Sequence, residues 1–323
     1  MTYSVGGLIQ ASDYNTFIAS LNAFWSTGAT DSGWGQTALT GVGPLPVAAT
    51  NWASLVNNLA TSGSQTTTTL TSRTAPTAGS IIAILANVAT DLSSVTTRRG
   101  FATAVGTTST TFTGTTSKTT STGSGTAAWT IVWTHVVTFP SADQARYFWN
   151  AGGLVRLDMS KTSTGTDLDA DWNTFVGTVG TLYMSGRVNG AAQTIAGTSY
   201  TGFTRIGGSG TPGVNASTTG WYNLVAGAAA TTLWQLNSSV YPYTSDFIRV
   251  AAAVNAGRTA ITYTVTWSQS TQSYSTVITG GTATTSPFTA FGTAPTVLCR
   301  YIPPSTTYLT NTWGTPTVTS SVV

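Results

Sequence analysis

The chain has 323 residues, of which 41% are hydrophobic and 11% aromatic, so wholesale disorder is excluded and a sizeable core is possible. Only 7% of the residues are charged and the formal net charge is +3, whereas about 25% are charged in a typical soluble domain. This composition argues against a solitary metabolic enzyme, and so small and scattered a positive charge does not predict nucleic-acid binding.

A surface with so little charge must consist of Thr, Ser, Asn, Gly and backbone, and it lacks the repulsion that keeps monomers apart. We therefore expect either burial in an assembly or work outside a cell. The opening MTYSVGG lacks the features of a signal peptide, and the longest apolar run, at 81–89, is too short to span a membrane. Together these features favour a protein that is built inside a cell and released by lysis, without membrane insertion.

A short helical pattern occurs twice near the beginning of the chain, at 8–25 and 45–60, and a weaker copy follows at 79–95. A shift of 38 positions aligns the first two, and their apolar residues follow the i, i+3, i+4, i+7 spacing of one helix face. Helices this short need a partner. Ser12 or Asp13, and Thr50 or Asn51, are the predicted N-caps. The predicted docking residues are Tyr14, Phe17, Leu21, Trp52, Leu55 and Leu59.

Three regions are predicted along the chain. Residues 1–105 form an N-terminal helical repeat or docking domain, and its Gly-rich connection carries Trp34, which we expect to be exposed. Residues 106–126 are a Thr/Ser/Gly-rich stretch that is either a flexible linker or a hairpin. Residues 127–323 read as a β-rich domain.

The period of the apolar residues changes to two after residue 127. A long strand over 129–139 is followed by a short helix capped by Ser141 and a strand over 154–160. A further short helix is expected at 172–179. The later strand candidates are 181–188, 198–207, 221–227, 246–255, 259–270, 272–280 and 296–303. The fold class is therefore mainly β: an antiparallel, sandwich-like C-terminal domain with a small N-terminal domain of short helices.

Residues with catalytic potential are sparse. His135 is the single histidine, and it alternates with apolar neighbours in a predicted strand, so a structural or surface-facing imidazole is favoured over a metal or triad role. Cys299 is the single cysteine and is expected to be a buried free thiol. The sequence thus predicts no catalytic residues and no cofactor.

The acidic cluster Asp167, Asp169 and Asp171 begins like a calcium loop. Trp172 stands where such a loop needs Gly, and Thr178 where it needs an acidic ligand. A polar loop that caps the following helix is the favoured interpretation. A cation site at the three aspartates is the alternative, and a glycosidase pair is a weaker one.

Several segments together resemble virion structural proteins of tailed bacteriophages, particularly marine and cyanobacterial ones. They are LIQASDYNTFIASLN, GWGQ, VAATNWASLVNNL, ARYFWNAGGLVRLDMS, DADWNTFVGTVGT, FTRIGGSGTP and PPSTTYLTNTWG. The resemblance implies a non-enzymatic tail, collar or fibre-base protein, located in the virion, whose partners are other virion proteins and copies of itself, with a trimer favoured. The alternative is an adhesin that recognises a host surface glycan through its C-terminal loops.

Overall fold

The structure is a computed structural model of the chain. Its described residues are 11–27, 33–43, 47–77, 85–99, 116–117, 129–162, 167–185, 192–195, 198–201, 204–206, 211–212, 224–239, 244–270 and 295–323. The predicted strand at 272–280 and nearly all of the predicted linker at 106–126 lie outside this part. The described helices are α1 (Ala11–Trp25), α2 (Ala49–Thr66), α3 (Leu85–Arg98), α4 (Ala142–Asn150) and α5 (Asp167–Gly177).

The strands form two larger antiparallel sheets and one hairpin. Sheet one has the order β1-β12-β3-β4-β7, sheet two the order β13-β2-β11-β10-β9-β8, and β5 pairs with β6. The strands are β1 (Thr116–Ser117), β2 (Trp129–Thr138), β3 (Leu154–Ser160), β4 (Thr181–Ser185), β5 (Ala192–Ile195), β6 (Thr198–Thr201), β7 (Thr204–Ile206), β8 (Thr211–Pro212), β9 (Thr231–Asn237), β10 (Phe247–Val254), β11 (Ala260–Gln269), β12 (Thr296–Ile302) and β13 (Thr317–Val322).

Alternating residues of the central strands are buried, as the two-residue period of a sheet requires. In sheet two, Trp133 pairs with Val265 and His135 with Tyr263, and all four side chains are buried. Buried residues of sheet one, such as Leu157, belong to the same core cluster as the buried apolar residues of sheet two. The fold class predicted from the sequence, mainly β with antiparallel sandwich-like sheets and N-terminal helices, is confirmed.

The N-terminal helices pack into the same core cluster as the two sheets. The connection after α1 carries Trp34, which is 0% exposed and packs edge-on against Phe24 with ring centroids 5.4 Å apart. The expectation that Trp34 is exposed was therefore wrong: the neighbouring glycines and polar residues suggested a surface turn, but aromatic packing buries the indole. Four hydrogen bonds join the N-terminal residues 33–65 to the part of the chain after residue 129. They connect Gln65 with Ala151, Asn150 with Gly33, Gln36 with Thr310, and Thr312 with Trp34.

Hydroxyl side chains inside the N-terminal helices bond to the helix itself. Thr16, Ser54, Ser62 and Thr97 each donate to the carbonyl four residues earlier, at 2.7–2.9 Å. Such bonds satisfy the hydroxyl without an external partner. They explain how a sequence this rich in Ser and Thr can still build helices.

The helix ends agree only in part with the predicted caps. Ser141 caps α4, because its Oγ accepts from Gln144 N–H at 3.1 Å, as predicted. Thr50, however, lies inside α2: the N-cap is Ala48, whose N–H donates to Asn51 Oδ1 at 3.2 Å. The Asn51 side chain thus accepts a backbone hydrogen bond at a helix start where Ala48 has no side-chain acceptor.

Two further predictions about local structure were wrong. The predicted strand at 221–227 is a turn where it is described, at 224–227. The aspartate run is not a loop before a helix, because α5 already begins at Asp167. Asp side chains suit the first turn of a helix, where the exposed N–H groups favour negative charge. None of the described helices combines the length and apolar character that a membrane span needs.

Candidate functional site

The six predicted docking residues lie inside the molecule. Tyr14, Phe17, Leu21, Trp52, Leu55 and Leu59 are all between 0% and 2% exposed. The Trp52 ring meets Tyr14 edge-on at 5.3 Å and Phe17 at 6.1 Å between centroids. These residues therefore hold α1 and α2 together, and any contact of this region with a partner must use other side chains.

Each repeated helix is followed by an extended segment that runs back along it. We call α1 with residues 33–43 unit one. Asn15 and Asn22 on α1 each form two hydrogen bonds to the backbone of this segment. Asn15 Nδ2 donates to the Val42 carbonyl and Asn15 Oδ1 accepts from the Val42 N–H, both at 2.9 Å. Asn22 Nδ2 donates to the Leu39 carbonyl at 2.9 Å and Asn22 Oδ1 accepts from the Leu39 N–H at 3.0 Å. Trp25 Nε1 donates to the Thr37 carbonyl at 3.0 Å. The space between helix and segment is filled by these side chains.

Unit two, α2 with residues 67–77, has the same construction. Thr68 N–H donates to the Gly63 carbonyl at 2.8 Å as the chain turns back. Farther along, Thr71 N–H donates to the carboxylate of Asp91 on α3, which also forms an ion pair with Arg73. The side chains of Arg73 and Asp91 are only 6% and 5% exposed. Burial lowers the pKa of the Arg73 guanidinium. This buried pair fastens the returning segment to α3.

An open groove lies between α2 and the returning segment of unit two, with a volume of about 540 Å³. That size falls within the usual range for ligand sites. Its hydroxyl lining consists of Ser64, Thr67, Thr68, Thr69, Thr71 and Ser72. Tyr308, from the loop after β12, also lines it and is 42% exposed. Sequence reasoning missed this groove, although the repeat contained a signal: Ala60 and Gly63 occupy the positions of Asn22 and Trp25.

The aspartate run occupies the first turns of α5, Asp167–Gly177. The side chains of Asp167 and Asp169 lie outside the described residues, whereas Asp171 is half-buried. Among the side chains that are described, no group of three or more His, Cys, Asp or Glu could hold a metal ion. The cation site at these three aspartates stays a prediction.

His135 and Cys299 are both buried. His135 Nδ1 lies 2.7 Å from Ser320 Oγ on β13, and burial lowers the pKa of the imidazole from 6.5 to about 4. The thiol of Cys299 is free, and burial together with the charge of Asp158 raises its pKa. A thiol whose pKa is raised remains protonated and is a poor nucleophile. The expectation that Cys299 is a buried free thiol is confirmed.

Much of the described acidic charge is held inside the chain. Asp91 pairs with Arg73, Asp143 with Arg146 at 3.1 Å, and Asp158 with Arg156 at 2.8 Å. Asp13 and Asp246 are 5% and 1% exposed. Most of the described acidic side chains are therefore paired or buried, although Asp143 is itself 68% exposed within its pair. Compared with known proteins, the chain matches no protein family, no curated protein and no solved structure.

Proposed function

We propose that the chain is a non-enzymatic structural component of a tailed-phage virion, namely a tail, collar or fibre-base protein. In this proposal it is assembled in the host cytoplasm, released with the particle at lysis, and bound to other virion proteins and to copies of itself. A trimer is favoured among closed symmetric assemblies. The proposal extends the resemblance described above.

The observation that carries the proposal is the nearly neutral exterior. Because Asp91, Asp143 and Asp158 are each paired with an arginine and only 7% of the residues are charged, few unpaired charges are left to repel an approaching copy. The outer side of α1 illustrates this surface: its exposed residues Ser12, Thr16, Ala19 and Ser20 carry hydroxyls or a methyl group and no charge. Because the six aromatic and aliphatic residues of the repeats are buried, this outer stripe is the surface that α1 offers to a neighbour.

Two measurements on the full chain test the proposal. Sedimentation equilibrium over a wide concentration range should give a discrete oligomer, and cryo-EM of intact particles should place the chain at a fixed, repeated position. Ala19→Asp, which puts a charge on the outer stripe, should lower incorporation into particles, whereas Thr174→Asp on the exposed side of α5 is the matched control. A chain that stays monomeric at every concentration and is missing from purified particles would refute the proposal.

A further inference from the structure

The groove of unit two lies where unit one is filled by its own side chains. The 38-residue shift relates Asn22 to Ala60 and Trp25 to Gly63. In unit one, Asn22 and Trp25 bridge the helix to Leu39 and Thr37 of the returning segment. In unit two, Ala60 and Gly63 line an open groove. Leu70 of the returning segment packs against Gly63 where unit one has the Trp25 ring, so the side chain that the groove lacks is the amide of Asn22, replaced by Ala60.

The lining of the groove favours an uncharged, hydrogen-bonding ligand. Hydroxyl groups can both donate and accept, so the Ser and Thr side chains along the returning segment suit a ligand that carries hydroxyls itself. Arg73 is the one charged residue of the lining, and its guanidinium is paired with Asp91 and only 6% exposed. A charged ligand would thus find no free counter-charge among these residues.

Tyr308 supplies an aromatic surface beside these hydroxyls. It is the one aromatic side chain of the described residues that is strongly exposed, at 42%. Its neighbours fix the loop, because Leu309 is buried and Thr310 N–H donates to Gln36 Oε1 at 2.9 Å. An exposed ring on a fixed backbone binds at a lower entropic cost than one on a free loop.

The backbone at the end of the groove is strained. Thr67 has a φ of 52°, in the left-handed region, at the position that follows α2. A β-branched residue pays a penalty there, and glycine is the usual residue at such a helix end. Strain of this kind concentrates at functional sites. The Thr67 side chain lines the groove, so the strained residue also contributes to the surface that a ligand would meet.

We propose that the groove between α2 and residues 67–75 binds a neutral saccharide, with one sugar ring packed on Tyr308 and its hydroxyls bonded to the Ser and Thr side chains. The hydroxyls of the sugar take the place of the Asn22 amide that closes unit one. A second copy of the chain is a poorer occupant, because Tyr308 is the sole strongly exposed aromatic that its described surface could offer. The inference does not depend on the structural role proposed above, and it gives the adhesin alternative a specific site.

The test measures binding of neutral glucan, galactan and mannan oligosaccharides to the full chain by isothermal titration calorimetry and saturation-transfer NMR. Tyr308→Ala should weaken binding about tenfold, the scale of one lost ring contact, whereas Tyr308→Phe should retain it. Ala60→Trp refills the groove and should abolish binding. Ser54→Trp, at an exposed position of α2 outside the groove, is the matched control and should bind like the parent chain.

The outcomes are distinct. Binding that responds to Tyr308→Ala and Ala60→Trp but not to Ser54→Trp supports the site, even if the chain proves to have no place in a virion. Binding that Ala60→Trp leaves unchanged lies elsewhere and overturns the inference. No binding of any of the oligosaccharides at millimolar concentration overturns it as well, as does a groove found filled by another protein in intact particles.

Discussion

The indole rings of Trp172 and Trp267 lie nearly parallel in the core, with centroids 5.8 Å apart and planes inclined by 11°. Trp172 belongs to α5 and Trp267 to β11, and Trp172 Nε1 donates to Gln269 Oε1 of the same strand at 3.0 Å. The stack and the hydrogen bond together hold the helix of the aspartate run against sheet two. Trp172 thus fixes α5 together with the buried side chains of Phe175 and Val176.

Trp172→Ala should lower the free energy of unfolding by about 3–5 kcal/mol, because it leaves a cavity and removes the partner of Gln269. Trp172→Phe should cost less, since a ring remains but the N–H is lost. Urea unfolding followed by circular dichroism measures both. Thr174→Ala, on the exposed side of α5, should change stability by less than about 0.5 kcal/mol. Equal effects for Trp172→Ala and Thr174→Ala would show that α5 does not pack as described.

The buried pair Arg73–Asp91 makes a second prediction. Asp91→Ala leaves a buried guanidinium without its counter-charge and the Thr71 N–H without its acceptor, so the loss of stability should be about 3–5 kcal/mol. Replacing both partners by apolar residues, as in Arg73→Met with Asp91→Leu, should cost much less. A double-mutant cycle measures the difference. If the double variant lost the sum of the losses of Arg73→Met and Asp91→Leu, the pair would not be coupled.

His135 should make stability depend on pH. Burial lowers its pKa from 6.5 to about 4, so between these values the unfolded chain binds a proton that the folded chain does not. The free energy of unfolding is therefore unaffected above pH 6.5 and falls as the pH drops through the window to 4. The total loss is about 3 kcal/mol, of which about 2 kcal/mol is present at pH 5.

Urea midpoints from pH 7.5 to 4 measure this dependence. His135→Gln is the control, because glutamine does not titrate. The difference between the pH dependence of the parent chain and that of His135→Gln gives the contribution of the imidazole to stability. If the urea midpoint of His135→Gln varied with pH as steeply as that of the parent chain, the prediction would be contradicted.

Thr67 offers a stabilising substitution. Thr67→Gly removes a β-branched side chain from the left-handed region, where its φ is 52°, and should raise the free energy of unfolding by about 1 kcal/mol. Thr69→Gly is the matched control in the same exposed segment. Thr69 is not among the described residues with positive φ, so glycine there should destabilise through its greater freedom in the unfolded chain. Thermal melts should show a higher melting temperature for Thr67→Gly and a lower one for Thr69→Gly.

The sequence predicted the elements that have strong local signals. α4 follows a Ser cap, and β3 was expected at 154–160, where the structure has Leu154–Ser160. Several strands were missed, among them β5, β8, β9 and the edge strand β13, whose TVTSSV sequence offers only two valines among hydroxyl residues. Pairing with β2, rather than its own apolar pattern, makes β13 a strand.

The candidate site was harder to predict because it depends on tertiary packing. The apolar stripe of the repeats was identified correctly, but the same stripe suits an internal core or a partner surface, and here Leu21 and Leu55 are fully buried. The groove depends on Ala60, which stands where unit one has Asn22, and on Tyr308, which lies about 250 positions away in the sequence. No local pattern brings such distant residues together.

The clamp between Gln36 and Thr310 has a consequence for synthesis. These partners are separated by 274 positions, and β13 completes sheet two beside β2. Almost the whole chain must therefore be synthesised before the first helices have all of their contacts. Until then the nascent chain exposes aromatic surface. We therefore expect a chain truncated before residue 310 to lack these contacts and to aggregate.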